Sequence, residues 1–339
     1  MESKLISICI SVHNTEKYLP RCLDSLINQT ELKSIEIVLV NNGSSDNSES
    51  IMYEYQEKYK SIDIKILSQE DRGLAQGRKT GVVNANGKYI MFLDADDYLY
   101  PNAIKRVKNI ILKSGSDIIE FKTIRDKKVI SSDKSGIFNT DIILHQYMNR
   151  GDIPPMLWMR AYKKALFTDK VFPDLYVNNE DVFIFPCLLY SANNIEYIDE
   201  VLHVYSTDNE KGFMNELNNN TNDMSVLKKR LISIKHTEHI KKYLDDKGMK
   251  KYEDDYLRLY LRVCEGFCLY SYKSISDTDV MKELYRETNK NNRDFQILYS
   301  NIKCKKTLPH IFMDILGFER GILIFKKLYR LKEKMEGRI

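Results

Sequence analysis

The sequence has no apolar run near the ~20 residues that a membrane-crossing helix needs, so it reads as soluble or peripheral. Its six cysteines (Cys9, Cys22, Cys187, Cys264, Cys268, Cys304) form no Cys-x-x-Cys pair. Several lie in apolar strand or helix patterns, so reduced, buried thiols of a cytosolic protein are expected in place of disulfides or zinc. Charge of one sign is also lacking. Lys+Arg number 52 and Asp+Glu 48, and the net +4 gives no ground for a nucleic-acid partner. No Gly-x-Gly-x-x-Gly follows the first strand pattern, which weighs against a dinucleotide fold, and no P-loop signature is present to cradle phosphates. No repeat of solenoid period is visible.

What is there is an ordinary globular composition. With 339 residues, 43% of them hydrophobic, the chain can bury a core for one large domain with an appendage, or for two domains. Leu5 to Val12 is a β-branched run, and Leu19, Cys22, Leu23 and Leu26 follow at helical spacing. The strand-then-helix unit repeats: a strand over 35–40, closed by Asn41-Asn42-Gly43, precedes a helix through Ile51, Met52 and Tyr55. A strand over 62–67 precedes a helix over 74–83, and a strand over 89–93 follows. This alternation predicts an α/β fold with a mostly parallel sheet and helices on both faces. In such sheets ligands bind at the carboxyl ends of the strands, which is where Ser11 to Asn14, Asn41 to Asp46, Gln69 to Gly73 and Asp94 to Asp97 fall.

The stretch Tyr89 to Asp97 organises the rest. An apolar strand runs without a turn residue into Asp94, Asp96 and Asp97. Burying these carboxylates unpaired would cost several kcal/mol each. On an extended backbone Asp94 and Asp96 share a face, while Asp97 points away. Such oxygen ligands suit Mg²⁺ or Mn²⁺ shared with a ligand's phosphates, whereas the plain alternative is a solvated acidic turn before the helix that Pro101 opens. Arg78, from the helix after Gly73, can hold a diphosphate or pair structurally with a carboxylate.

Further along, Ala103 to Ile111 forms a helical pattern, 117–121 a strand, and the charged, Ser-rich 125–136 a turn or loop. A helix over 140–148 is expected to be broken by Pro154-Pro155. The only tryptophan, Trp158, is either a stacking platform for a sugar acceptor or a core residue. Glu180 and Asp181 open a helix, where they complement its dipole or present a general base. Beyond about 215 the alternation ends, and a polar break precedes amphipathic helical patterns over 225–244, 252–272 and 279–289. The last, 317–339, is basic and amphipathic, fit for an anionic membrane surface or for docking on the body.

The segments Ile6 to Thr30, Ile35 to Ser48, Glu70 to Gly81, Tyr89 to Leu99, Met156 to Phe167 and Asn179 to Tyr205 resemble, in order, the motifs of family 2 glycosyltransferases. These are inverting, nucleotide-sugar-dependent enzymes of GT-A fold. The resemblance covers roughly residues 4–206. It implies a GT-A catalytic domain over 1–214 with a Rossmann-like central sheet, and the amphipathic pattern adds a helical region over 215–339 to which no motif of the family is assigned. It also implies that Asp96 ligates Mn²⁺ or Mg²⁺ with Asp94 in support, and that His203 offers a further metal contact or is a buried structural residue. Arg78, Asp94 and Ala95 would contact the donor nucleotide, with Ser11, His13, Asn14, Asn41 and Asn42 at its base. Asp181 would be the catalytic base, and Glu180, with Trp158, would shape the acceptor site. Asn41-Asn42 replace the family's usual Asp-Asp, His13 its usual Tyr and Ser11 its usual Pro. Asn42 is expected to accept the uracil N3 proton through its amide oxygen, although an amide also donates and so disfavours cytosine less. Lys79 replaces the usual Asn after Arg78.

The expected reaction is transfer from a UDP-sugar to a glycan or lipid-linked acceptor for a bacterial surface polysaccharide, at the inner face of the membrane. CDP- or GDP-activated donors, or a catalytically impaired sugar-binding protein, are the alternatives. A phosphatase using Asp94 would want Thr or Val where Tyr98 stands, and a nucleotidyltransferase would want a Gly-rich basic loop in place of His13 to Glu16. The transferase reading requires that Asp94 and Asp96 be free of a lysine or arginine counterion and open on a cleft shared with Asp181.

Overall fold

The computed structural model describes residues 4–173, 179–209, 237, 239–244, 252–253, 255–256, 258–259 and 263. The expected helices beyond 263, including the basic segment 317–339, and Cys264, Cys268 and Cys304, lie outside the described residues. The chain divides into two compact units, 1–215 with 236–252, and 216–235 with 253–339. No helix among the described residues is long and apolar enough to cross a membrane.

The first unit is built on one sheet. Its leading half is β1 (Ile6–Val12), α1 (Leu19–Ile27), β2 (Ile35–Asn42), α2 (Ser48–Lys58), β3 (Ile64–Gln69), α3 (Leu74–Asn84) and β4 (Tyr89–Phe92). β2 is buried along its whole length and β1 at all but one position, as expected of strands covered by helices on both faces. β3, β2, β1 and β4 lie side by side in that order, all parallel. Because β2 and β4 flank β1 on opposite sides, the strand order reverses at β1, and the carboxyl ends there form the crevice in which α/β proteins bind ligands. α3 packs closely over β1. A Cβ on Gly77 would lie 2.2 Å from Ser11 Oγ, and one on Gly81 3.1 Å from Cys9 Cβ.

The trailing half is mixed. It comprises β5 (Tyr98–Leu99), α4 (Ala103–Ser114), β6 (Ile118–Arg125), β7 (Lys128–Ile130), β8 (Gly136–Asn139), α5 (Thr140–Arg150), β9 (Arg160–Lys163), α6 (Asp181–Ser191) and β10 (Asn194–Val204). The sheet continues β4-β9-β6-β10-β5, with β9 antiparallel to both of its neighbours, β7 on β6 and β8 on β10.

Three expectations are corrected. Residues 125–136 contain strand as well as loop. β6 and β7 form a hairpin whose turn residues, Asp126 and Lys127, both have positive φ, the two-residue geometry that suits strand twist but that these residues do not advertise. α5 ends at Gly151 (φ 71°), before the prolines. The extended backbone through the acidic stretch stops at Phe92. Asp97 N donates to Asp94 O at 3.0 Å, so the three aspartates sit on a turn.

Candidate functional site

Four strand ends and the start of α6 furnish the polar residues. After β1, His13 and Asn14 are exposed, and Asn14 takes positive φ (53°) so that its Oδ1 accepts from Ser45 N at 2.8 Å. The His13 ring nitrogen Nδ1 lies 2.9 Å from Asn42 O, and Asn41 Oδ1 accepts from Ser44 N at 2.9 Å. Ser11 lies under α3 against Gly77, and Ala95 is buried in the acidic turn. The amide of Asn42 is fully used. Its Nδ2 donates to Asp71 Oδ1 at 3.1 Å and Gly73 O at 3.4 Å, and its Oδ1 accepts from Gln69 Nε2 at 2.6 Å and Arg72 N at 3.4 Å.

The centre of the site is Arg78. α3 follows Gly73, whose φ of 81° suits glycine, and carries Arg78 inward until it is 3% exposed. Its Nη2 donates to Asp94 Oδ1 at 2.8 Å, and its Nη1 donates to Asp181 Oδ1 at 2.8 Å and to Glu180 Oε1. The guanidinium also lies 5.6 Å from the centre of the Phe92 ring. One cation therefore meets three carboxylates from two distant segments. Burial opposes the Arg78 charge, but Glu180, Asp94 and Asp181 outweigh it and raise its pKa. Burial pushes the Glu180 carboxyl up, with Arg78 opposing and Asp181 adding to the rise.

The requirement of free aspartates fails at Asp94, whose carboxylate Arg78 holds. The same arginine also holds Asp181, so Asp94 and Asp181 share one cation. Asp96 accepts from Asn209 Nδ2 at 2.8 Å, and its carboxyl is pushed up to about 6 by burial and then by Asp97 and Asp94. Asp97 is buried, accepting from Ser206 N at 2.8 Å.

His203 and Trp158 are core residues. The His203 ring stacks on Trp158 at 4.6 Å between centres, and Trp158 is only 4% exposed, so it forms no sugar platform here. His203 Nε2 lies 3.3 Å from Asp97 Oδ2, and burial pushes the ring down to about 3. The ring faces Asp97, and Asp94 and Asp96 lie near enough to oppose that downward shift. Among the described residues no three His, Cys, Asp or Glu side chains are grouped to hold a metal alone.

Sequence reading missed Arg21, Asp71 and Asn209. Arg21 Nη2 donates to Asp96 O and Ser206 Oγ, each at 2.8 Å, and Nη1 to Asp208 at 2.7 Å. No motif flags it, since it sits on α1 like any polar helix residue.

The sequence model described as "Glycosyl transferase family 2" matches residues 7–174. Glycosyltransferase GlyA of Streptococcus pneumoniae is 41% identical over 115 residues, which are 33% of this chain and 16% of GlyA. The poly(ribitol-phosphate) beta-glucosyltransferase of Bacillus spizizenii is 38% identical over 114 residues, 33% of this chain and 18% of that protein. In fold, the chain is similar to S. aureus TarS 1-349 in complex with UDP-GlcNAc, with TM-score 0.61 at 16% identity, covering 97% of this chain and 92% of that one. The chain spans between 16% and 62% of the lengths of the curated relatives it matches. The fold is of GT-A type, and through residues 7–174 the chain belongs to glycosyl transferase family 2.

Proposed function

We propose that this chain is an inverting glycosyltransferase that moves a sugar from a nucleoside diphosphate sugar, first of all a UDP-sugar, to a hydroxyl of a glycan or lipid-linked acceptor of a bacterial surface polysaccharide. The observation that carries the reading is the Arg78 bridge, which joins the strand-end Asp94 to the helix-start Asp181 through 2.8 Å contacts on either side. A donor held at the strand end is thereby brought face to face with a base on a rigid helix. The donor choice draws on the UDP-GlcNAc held by TarS, and the acceptor class on the poly(ribitol phosphate) in the relative's name.

Asp96, with Asp94 once Arg78 lets go of it, would hold a divalent ion shared with the donor's phosphates. They are hard oxygen ligands, and the carboxyl of Asp96 is driven up by burial first and then by Asp97 and Asp94, negative charge that a cation would offset. Bound there, Mn²⁺ or Mg²⁺ supplies positive charge to the departing diphosphate. The protein's own groups do the rest. Arg78 exchanges its carboxylate partners for phosphate oxygens, to which its planar fork is equally suited. That exchange releases Asp181, which takes the proton of the acceptor hydroxyl as its oxygen attacks the anomeric carbon. The bond from that carbon to the phosphate oxygen breaks, the nucleoside diphosphate leaves, and the configuration inverts. Glu180, held beside Asp181, shapes the acceptor side.

The proposal includes a catalytic domain over 1–214 and a helical region over 215–339 whose segment 317–339 rests on the anionic inner surface of the cell membrane. A sugar-binding protein without turnover is a second reading, favoured by the hold of Arg78 on Asp181 in the ligand-free form. Nucleoside diphosphate release from UDP-, CDP- and GDP-sugars with Mn²⁺ separates the two. Release of UDP from at least one UDP-sugar is expected. Nucleotide binding with no release from any donor and acceptor tried would leave the binder.

A further inference from the structure

We propose that Asp71, and not Asn42, is the residue that reads the nucleobase of the donor, and that its carboxylate selects a base carrying a ring N–H, uracil before all, against cytosine. The inference rests on the nucleotide-sugar reading given above.

It begins with the side chain that has nothing left to give. An asparagine amide has two N–H donors and two acceptor lone pairs, and all four of Asn42's are taken within the protein, by Asp71 and Gly73 on one side and by Gln69 and Arg72 on the other. Asn42 is also buried. Its orientation is fixed by chemistry. A carboxylate only accepts, so the amide nitrogen must face Asp71. That turns the Asn42 oxygen to Gln69 Nε2, and Gln69 Oε1 in turn accepts from Thr80 Oγ1 at 2.6 Å. Asn42 is thus a bracket within a fixed relay and has no acceptor to offer a base.

Asp71 is the opposite case. It is exposed, and its Oδ1 takes both bonds that position it, from Asn42 Nδ2 and from Gly73 N at 3.0 Å. Among the described residues no hydrogen bond or ion pair goes to Oδ2. Its backbone is equally constrained, since a Cβ on Gly43 would lie 2.5 Å from Asp71 N, so the loops after β2 and β3 interlock there. The exposed ring of His13 is bonded to the backbone of the same Asn42 and offers an aromatic face on the same strand end. Arg78 lies about 6 Å further along α3 than Leu74 by helical rise, so a diphosphate at Arg78 leaves the base on the Asp71 side of the rim.

The selectivity follows from the edge that each base presents. The N3–H of uracil, or the N1–H of guanine, donates a charge-assisted bond to a carboxylate, whereas cytosine N3 turns a lone pair toward it. Residue 42 must then be neutral. An aspartate in place of Asn42 would set two carboxylates about 3.1 Å apart, which cannot both stay ionised at ordinary cost.

The test is calorimetric titration of the full chain with UDP, GDP and CDP in the presence of Mn²⁺, for the wild type, Asp71→Asn, and the exchange Asn42→Asp with Asp71→Asn, each checked for folding by its thermal melt. The wild type should bind UDP at least about tenfold more tightly than CDP, the scale of one charge-assisted bond. Asp71→Asn should bring the two within about threefold, and the exchange, which moves the carboxylate to the buried position 42, should leave them there, whereas a restored preference would return the reading of the base to residue 42. An unchanged UDP-to-CDP ratio in folded Asp71→Asn, or a wild type that prefers CDP, overturns the assignment alone. A folded wild type that binds none of the three overturns the nucleotide-sugar reading and this assignment with it.

Discussion

Two buried arginines, one on helix α3 and one on strand β9, are held in opposite ways. Arg160, on β9, faces Glu120 of β6 as a cross-strand neighbour, and both are almost wholly buried. Its Nε donates to Glu120 at 2.7 Å, its remaining nitrogens donate to Met156 O and Pro154 O, and its guanidinium lies 3.8 Å from the centre of the Phe185 ring. One charge meets one charge, and the other donors meet carbonyls. Arg78 instead meets three carboxylates, two of which remain partly open to solvent. A balanced pair is a structural device, because nothing is gained by parting it. An unbalanced one holds charge in reserve for a ligand, and its excess carboxylates are what a cation or an acceptor hydroxyl would meet.

The comparison can be tested from both sides. The largest effect expected is on the Arg78 side. Asp181→Asn should keep nucleotide affinity and melting temperature but lower turnover by about 10²–10⁴-fold, roughly 3–5 kcal/mol of activation free energy. Steady-state kinetics decides, and near-normal turnover would strip Asp181 of the base role. On the Arg160 side the loss should be of stability. Glu120→Gln leaves a buried guanidinium without its counterion and should cost about 3–5 kcal/mol in denaturant unfolding. A cost below about 1 kcal/mol would mean that the pair is not what holds β6 to β9. The smallest effect links the two kinds. Gly77→Ala pushes a methyl group into Ser11 and should destabilise by about 1–3 kcal/mol, while weakening donor binding because Arg78 rides on the displaced helix. Full donor affinity in that variant would show that the seating of α3 does not set the position of Arg78.

How much of this the sequence makes legible differs by region. β1 and β2 are near-continuous apolar runs because helices cover both faces, and such runs are read at sight. β7 and β8 are three and four residues long and mostly exposed, too short for an alternating pattern to show, and a hairpin turn of Asp126-Lys127 lacks the usual glycine. The rim residues were legible as a set, since topology alone sends strand ends to one side. Their partners were not. Arg78 meets Asp94 from 16 residues away and Asp181 from 103, and a side chain's free valences, as at Asn42 or Trp158, are decided by neighbours that spacing does not bring together. Asp71 went unnoticed for the same reason.

The acidic turn after β4 is fastened from far downstream. Asp97 is bonded by Ser206, 109 residues later, and Asp96 by Asn209, 113 residues later, with Arg21 tying the same returning strand end to Asp96 O. Contacts of such sequence separation form only after long loops have closed. β1, β2 and β3 close far shorter loops and can pair while the site stays unmade, so competence to bind waits for the chain leaving β10 to come back to its beginning.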